Sequence, residues 1–593
     1  MSFVNTLING HAGGLKHEGL TPMQKISLRF VVLGVLYYGL AAIEGMMMRV
    51  VEITPVAAID ETHFFSIMTV HPMVGVFGST YMIVFGAFLF LVPYFMKKPI
   101  FSLKLANASW MLIGGGTFIM WLAGFLFSYA PLYTLYWPLP ADLVQFKVIG
   151  GLFYVIGVAL IMVGTFLYSY NVFKTIMYTP VGWERQPSME LFKDAIGFKA
   201  IGNWFKRKKT DHIVDLPVAA IARGTIDVGL NAVVITAAGV LLLIYMFGTL
   251  FGAGMDNTWV DALLYKNIFW WGLDLIADGL VLIFVAGTWY ILAMMITGKD
   301  LFMKHVARAA LFVEMVVSWT VWSHHLMSDQ GQSNLLKVMS GEMVTALELV
   351  TQGLAVYITL VTLAKARPLK MTNELKFLLG GLLGFMLAVP AGIIQADLGM
   401  NRILHNTQWI VGSHVHVAVL VGLTMTLYAA VYLLLPILTN GAKLWSQKLA
   451  TAHFWLHLIG GIGMGSFMGL AGMDGMLRRS IYVDGEYHTY MLLAGICGAM
   501  LLLAFALFLF NVVMTFGIKG LIGIYSPARS DTSDCVPTPQ EASMQNFLII
   551  LVLVLAGVGA LFILGQSDLL LGVTFVVVIA GFIFGVSRIA KEK

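Results

Sequence analysis

From Lys25 almost to the end of the chain, apolar stretches of about 20 residues, the length that crosses ~30 Å of hydrocarbon, alternate with short polar connections roughly fourteen times. Within each stretch the apolar positions run on continuously and do not alternate with polar ones, so the spanning elements are helices and not barrel strands. The predicted fold is an all-α polytopic transmembrane bundle. Residues 1–24 form an N-terminal segment, 25–520 twelve spans, 521–541 a linker whose Ser526 to Pro539 stretch is rich in Ser, Pro and Asp, and 542–593 a two-helix hairpin turning at Gly565 to Asp568. The longest connection, Thr175 to Arg223, carries a Lys-Arg-Lys-Lys run and is expected on the membrane surface. No short internal repeat is visible.

Composition agrees with the pattern: 59% of the 593 residues are hydrophobic and 11% charged, and the mean hydropathy is +0.85, which excludes a soluble domain of this size. A formal net charge of +5 gives no reason to expect a nucleic-acid partner, but its placement is informative. Basic clusters occupy every second loop: Lys97, Lys98 and Lys104; Lys206 to Lys209; Lys299 and Lys304; Lys365, Arg367 and Lys370; Lys443 and Lys448. Positive charge marks the cytoplasmic side, so both termini are expected there. The opposite loops, such as Ser128 to Val144, hold Tyr, Trp and Pro and face outward. Cys497 and Cys535 have no CxxC or CxxCH neighbour, which argues against a disulfide scaffold, a c-type haem or a copper centre with Cys ligands. Met1 to Lys25 lacks the features of a removable signal peptide.

Five histidines stand out against this apolar background: His71, the adjacent His324 and His325, and the spaced pair His414 and His416. Ionisable groups at membrane depth are costly and commonly serve a bound group. His71 opens span two, His324 and His325 close span seven, and His414 and His416 open span ten. All five therefore fall in the outer half. On a helix, positions i and i+2 point roughly 200° apart, so His414 and His416 cannot ligate one metal but could reach two groups on opposite sides of the helix, and His71 could supply a second ligand to one of them. The adjacent pair reaches one metal only if the helix end is distorted. A lone membrane histidine that bonds a carbonyl or lines a water pocket is the bland alternative.

Three acids and two arginines share these apolar surroundings. Asp274 and Asp278 in YKNIFWWGLDLIADGLV lie one turn apart on one face, and Glu348 in VTALELVT adds a third buried carboxylate. Unpaired carboxylates in a bilayer are protonated or very costly, so a cation near them is one expectation and a proton pathway the other. Arg478 and Arg479 in GMLRRS sit on the outer side, where positive charge is otherwise sparse; they are either an interfacial pair or partners of anionic groups.

As an ordered set, these residues resemble subunit I of the haem-copper oxidase and nitric oxide reductase superfamily over about the first 520 residues. The resemblance implies that His71 and His416 are the axial ligands of a low-spin haem and His414 the proximal ligand of a high-spin haem, both b-type. It implies that His324 and His325 hold a second metal and that Arg478 and Arg479 meet haem propionates. Oxygen-reducing members typically carry FW-x-x-GHPEVY in span six; here FWWGLDLIAD puts Asp274 in the place of the metal-ligating His and Asp278 in the place of the Tyr. The reductases' HLWVEG and SALEPLP are similar to DLIADG and TALELVT, which aligns Asp278 and Glu348 with their acidic residues.

Asp274, His324 and His325 are thus the expected metal ligands, with Asp278 and Glu348 adding ligation or relaying protons. Two imidazoles and a carboxylate suit non-haem iron, with copper left open. The expected activity is reduction of nitric oxide to N2O in a prokaryotic cytoplasmic membrane. The alternatives are a terminal oxygen reductase (cytochrome c or quinol oxidase) and an ion-coupled transporter. Electrons are expected from a smaller subunit with a cupredoxin or cytochrome c domain, or from quinol. Protons are expected from the outer face, no acidic input being recognised on the cytoplasmic side.

Overall fold

The structure is a computed structural model and describes residues 3–15, 19–54, 59–142, 145–208, 211–251, 260–321, 324–329, 331–482 and 485–526. Among these residues every regular element is helical, and ten helices are long and apolar enough to cross a membrane. In chain order the spans are α1 (Pro22–Ile53), α2 (Glu61–Met96), α3 (Leu103–Phe125), α4 (Val148–Met177) and α5 (Leu216–Leu250). Next come α6 (262–297), a run of three helical segments, and α7 (Lys304–Ser318), which is only 15 residues long. The remainder are α8 (Asn334–Lys365), α9 (Asn373–Ala396), α10 (Ile410–Leu438), α11 (Gln447–Met473) and α12 (His488–Gly523). Ten of these twelve elements have the length and apolar content of a span, the segmented α6 and the short α7 being the exceptions, against the twelve expected of the core. The expected hairpin of 542–593 lies outside the described residues, so a count of fourteen is not reached.

Two boundaries differ from expectation. The connection expected over Thr175 to Arg223 is shorter, because α4 runs on to Met177 and α5 already begins at Leu216, leaving Arg223 fully buried inside a span. α12 kinks at Gly517 (φ 68°), and the short helical segment after the kink reaches Gly523, just inside the linker expected from 521. Arg29 of α1 bonds the Ile524 carbonyl (3.0 Å) just beyond α12, tying the first span to the last.

Local chemistry explains where the helices start. Thr21 and Gln24 form a reciprocal capping box with Pro22 in the first turn of α1. Asp60, Ser102, Asp261 and Ser446 cap α2, α3, α6 and α11 by accepting a bond from an amide of the first turn. Four spans contain a π-helical stretch: Val74–Tyr81 in α2, Gly279–Phe284 in α6, Val338–Glu342 in α8 and Ile410–Leu423 in α10. Such stretches recur at functional sites.

The bundle has a basic end and a histidine end. At the basic end the N-terminal segment returns to the bundle, with Nε2 of His11 2.6 Å from the Lys443 carbonyl and the Lys443 amide bonding Gly13. The short helix Ser188–Ile196 is fixed there by Asp194, which accepts from the amides of Ile213 (2.6 Å) and Val214 (2.9 Å) and pairs with His212 (2.7 Å). Burial pushes the Asp194 carboxyl up, but His212 and the two amides outweigh it and hold it below the usual carboxylate range.

Candidate active site

Three of the five histidines are oriented in one way. Nδ1 of His71 lies 2.9 Å from the Ala41 carbonyl on α1, Nδ1 of His414 3.0 Å from the Ala388 carbonyl on α9, and Nδ1 of His416 2.7 Å from the Val411 carbonyl in its own helix. A carbonyl only accepts, so each Nδ1 carries the proton and each Nε2 keeps its lone pair. That is how a metal-ligating imidazole is set by its outer partner. His71 and His416 are close enough to interact electrostatically, and both are also within reach of Arg49.

The π-helical stretch of α10 makes this arrangement possible. Within this stretch the His416 side chain reaches the Val411 carbonyl five residues back. The backbone of the stretch lies against α11 at Gly412, where an added Cβ would come within 2.4 Å of the Gly469 amide nitrogen. Gly392 on α9 plays a comparable part, since a Cβ there would lie 2.7 Å from Cε1 of His414.

His324 and His325 lie on a 3-10 turn, His324–Leu326, beyond the end of α7, which supplies the distortion that the adjacent pair requires. Their ring centroids are 4.8 Å apart with planes at 78°. Nδ1 of His325 bonds Oδ1 of Asp274, and Oγ1 of Thr345 on α8 lies 3.4 Å from Nδ1 of His324. Asp274 is fully buried, and its Oδ2 has no hydrogen-bond partner. His414 interacts electrostatically with both His324 and His325, so the two groups of histidines share one region at one end of the bundle.

Arg478 and Arg479 cover that region. The loop that carries them is tied to the start of α10: the Arg478 amide bonds the Asn406 carbonyl (3.0 Å), and the Gln408 amide bonds the Met476 carbonyl (2.8 Å). Arg479 adopts a left-handed backbone (φ 59°), and its guanidinium stacks on Tyr133 (5.5 Å) and Tyr136 (5.8 Å) of the aromatic loop. Burial pushes the Tyr133 hydroxyl up, but the Arg479 and Arg478 charges overcome it and hold it below the ordinary phenol value. Nε of both arginines and Nη2 of Arg479 are buried without a partner.

Glu348 is buried, but it falls three residues, one turn, beyond the Thr345 contact to His324. Asp278 closes the first segment of α6, and its side chain lies outside the described residues. Among the described residues, no three His, Cys, Asp or Glu side chains converge on one point that could hold a metal. The expected trio is drawn together as the Asp274 and His325 bond with His324 beside it.

Several residues that sequence reasoning passed over belong to this region. His405, 3.2 Å from Oε1 of Gln395, is within electrostatic reach of His324, His325, Arg478 and Arg479. Toward the basic end, fully buried Asp227 on α5 accepts from Ser318 (2.9 Å), and buried Glu314 on α7 accepts from Thr351 of α8. They are buried acids on the side where no acidic input is recognised in the sequence. Each is a single acid within a long apolar run, a signal that the sequence did contain.

A family model described as cytochrome c and quinol oxidase polypeptide I matches residues 25–500. The chain belongs to this family. Cytochrome c oxidase polypeptide 1 of Halobacterium salinarum is 26% identical over 277 residues, 46% of this chain and 44% of that one. Cytochrome c oxidase subunit 1 of Thermus thermophilus is 27% identical over 307 residues, 47% and 52%. These matches span about half the length of the curated relatives. Quinol oxidase subunit 1 of Bacillus subtilis is 22% identical over 517 residues, 83% and 72%. A solved heme-copper terminal oxidase dimer shares the fold, with a TM-score of 0.68 at 17% identity, covering 97% of this chain and 94% of that one.

Membership of this family implies an oxidoreductase with haem and a metal centre, and it lends nothing to the transporter reading. The chain's residues fit those groups. Three imidazoles present Nε2 lone pairs, the unpaired arginine nitrogens suit propionates, and the orphan Oδ2 of Asp274 beside two imidazoles suits a cation. The placement within a nitric oxide reductase branch is not shown by these relatives, all of which are named as oxidases.

Proposed function

We propose that this chain is the catalytic subunit of a terminal respiratory reductase in a prokaryotic cytoplasmic membrane, with the histidine end outward and the basic end cytoplasmic. The observation that carries the reading is the bond between His325 and Asp274 within electrostatic reach of His414. It supports a centre in which His414 holds a high-spin haem and His324, His325 and Asp274 hold the second metal, with His71 and His416 on the low-spin haem. When bound, these groups supply the electrons and the Lewis acidity for reducing a diatomic oxidant.

The chain's own side chains do the rest. Nδ1–H of His325 donates to Asp274, which sets the tautomer and leaves Nε2 as the ligand atom, while the second Asp274 oxygen remains for the cation. Arg478 and Arg479 neutralise propionates. Glu314 and Asp227 hold protons on the cytoplasmic side of the centre, with Glu348 and Asp278 closer to it. Electrons arrive from a partner subunit with a cupredoxin or cytochrome c domain, or from quinol; the names of the relatives include both cytochrome c and quinol oxidases.

Dioxygen is the oxidant that the relatives' names support best, and it is placed first. Nitric oxide is the second reading, favoured by the site itself. Asp274 and Asp278 occupy the places of the oxygen-reducing members' His and Tyr, and no Tyr occurs from Leu301 to Gln352. Coupling two NO molecules needs two electrons and two protons, and therefore no Tyr donor. Iron suits the carboxylate-containing set, with copper the alternative. Purified protein should show haem bands on reduction with dithionite and one non-haem metal for two haems. Electrode traces then decide the oxidant: O2 consumption without N2O formation supports the first reading, and N2O formation with slow O2 consumption supports the second. A reduced spectrum without haem bands would sink both.

A further inference from the structure

Toward the basic end from His71 and His416, a cluster of buried imidazoles and phenols has no part in the centre described above. His453 and His457 lie one turn apart on α11, both fully buried, with ring centroids 5.7 Å apart. The Tyr428 ring packs against both, at 4.4 Å and 5.4 Å, and Tyr38 of α1 lies 6.0 Å from His457. The Tyr432 hydroxyl is 3.0 Å from Nδ1 of His453, and Phe377 and Phe508 close the sides. The hydroxyls of Tyr38 and Tyr428, Nε2 of His453 and Nδ1 of His457 are all buried without a hydrogen-bond partner. Four such groups in one place cost several kcal/mol if they only fill space, and a core built for packing alone would use Phe and Leu.

The cluster adjoins the low-spin haem ligands along two helices. Nε2 of His457 is 2.8 Å from the Leu420 carbonyl, one turn from His416 on α10, and Tyr38 lies one turn from Ala41, whose carbonyl orients His71. Because that carbonyl accepts from Nε2–H, the lone pair of His457 is on Nδ1, among the unpartnered phenols. Among the described residues, no carboxylate interacts with the ring. The titratable groups packed against it are Tyr38, Tyr428 and His453, and Tyr432, Phe377 and Phe508 surround His453 in turn. An imidazolium here has aromatic faces and hydroxyl oxygens to favour it but no counter-charge, so its formation depends on negative charge arriving nearby. On the basic side, Thr451 is bonded by Lys376 (2.9 Å), and Asn373 is bonded to Gln447 (2.6 Å), forming a polar mouth about one turn from His453.

We propose that His453 and His457, with Tyr38, Tyr428 and Tyr432, form a proton-accepting site that takes up one proton from the cytoplasmic side, at Nδ1 of His457, when the haem held by His71 and His416 gains an electron. The electron comes from the respiratory donor and the proton from the cytoplasm, so the haem's added negative charge is balanced within the membrane. This rests on the reading of His71 and His416 as haem ligands. Spectroelectrochemical titration of the purified protein between about pH 6 and 9 tests it. Wild type should show a tenfold shift in the low-spin haem's redox equilibrium per pH unit, about 59 mV for one electron, over part of that range. In His457→Asn, which keeps a donor for the Leu420 carbonyl but has no basic nitrogen, the potential should become independent of pH. Tyr428→Phe, which keeps the ring and removes a hydroxyl acceptor, should move the sloping range to lower pH. A flat wild-type profile, or one unchanged in both variants, overturns the proposal while leaving the haem assignment standing. A wild-type protein without a low-spin haem spectrum overturns both.

Discussion

At the scale of single residues, Asp274 decides how the centre is built. One oxygen bonds Nδ1 of His325 and the other is buried without a partner, so in the proposed centre the carboxylate would orient one ligand and supply another. Asp274→Ala removes both contributions, and loss of an outer partner alone costs about 10- to 100-fold in metal affinity or activity. The variant should lose turnover by at least that factor and lose the non-haem metal, while both haems stay bound. Metal analysis beside a pyridine haem assay checks this, and full metal occupancy would refute the assignment. Asp274 was legible in the sequence because a carboxylate inside an apolar run needs a reason. Its bond to His325 was not, since the two residues are far apart in the chain and meet only through the packing of α6 against the turn after α7. Asp227 and Glu314 were equally visible as lone acids, but no motif surrounds them, and only the neighbours Ser318 and Thr351 give them a setting.

At the scale of elements, hydropathy located the spans but not their internal geometry. A π-helical stretch has the same apolar content as an α-helix, so the four stretches in α2, α6, α8 and α10 leave no trace in the pattern of apolar residues. The His324–Leu326 turn was hidden in the same way, although the adjacent histidines indicated that the helix end had to be distorted. The connection between α4 and α5 shows how an element is held outside the membrane. Because Asp194 is held below the usual carboxylate range in the folded protein, its contribution is present above the unfolded value of about 3.9 and is lost as pH falls through the folded value. Asp194→Asn should therefore lower the thermal midpoint at pH 7 by the equivalent of about 1–3 kcal/mol, and the difference from wild type should shrink below about pH 4. Melting curves in detergent at both pH values measure it; a gap that persists unchanged in acid argues against the ionic contribution.

At the scale of the molecule, the all-helical membrane bundle and the gathering of the five histidines at one end were both readable from the chain. The reason is physical: a bilayer imposes one length on every span, and a shared group imposes one depth on its ligands. What the chain did not disclose was how the two ends of the core are closed. Arg29 meets the carbonyl after α12, His11 meets the loop before α11, and the arginine loop is tied to the start of α10. All are contacts between distant segments, made by backbone groups that have no signature in composition.

The stretch Ile410–Leu423 holds more residues than an ordinary helix needs to climb the same height. A surplus of this kind can be discarded. Deleting Val419 turns everything on the histidine side by about 100° against the rest of α10 wherever the remaining wide turns do not tighten to absorb the loss. His414 and His416 would swing together, away from the Ala388 carbonyl on α9 and from His71. The shortened protein should keep its helical circular dichroism but lose both haem signals at once, whereas replacing either histidine removes only one. Retention of either haem after the deletion would show that the extra residue is dispensable; its loss would mean that the spacing of the two haems is stored as a length of chain, tuned to within one residue.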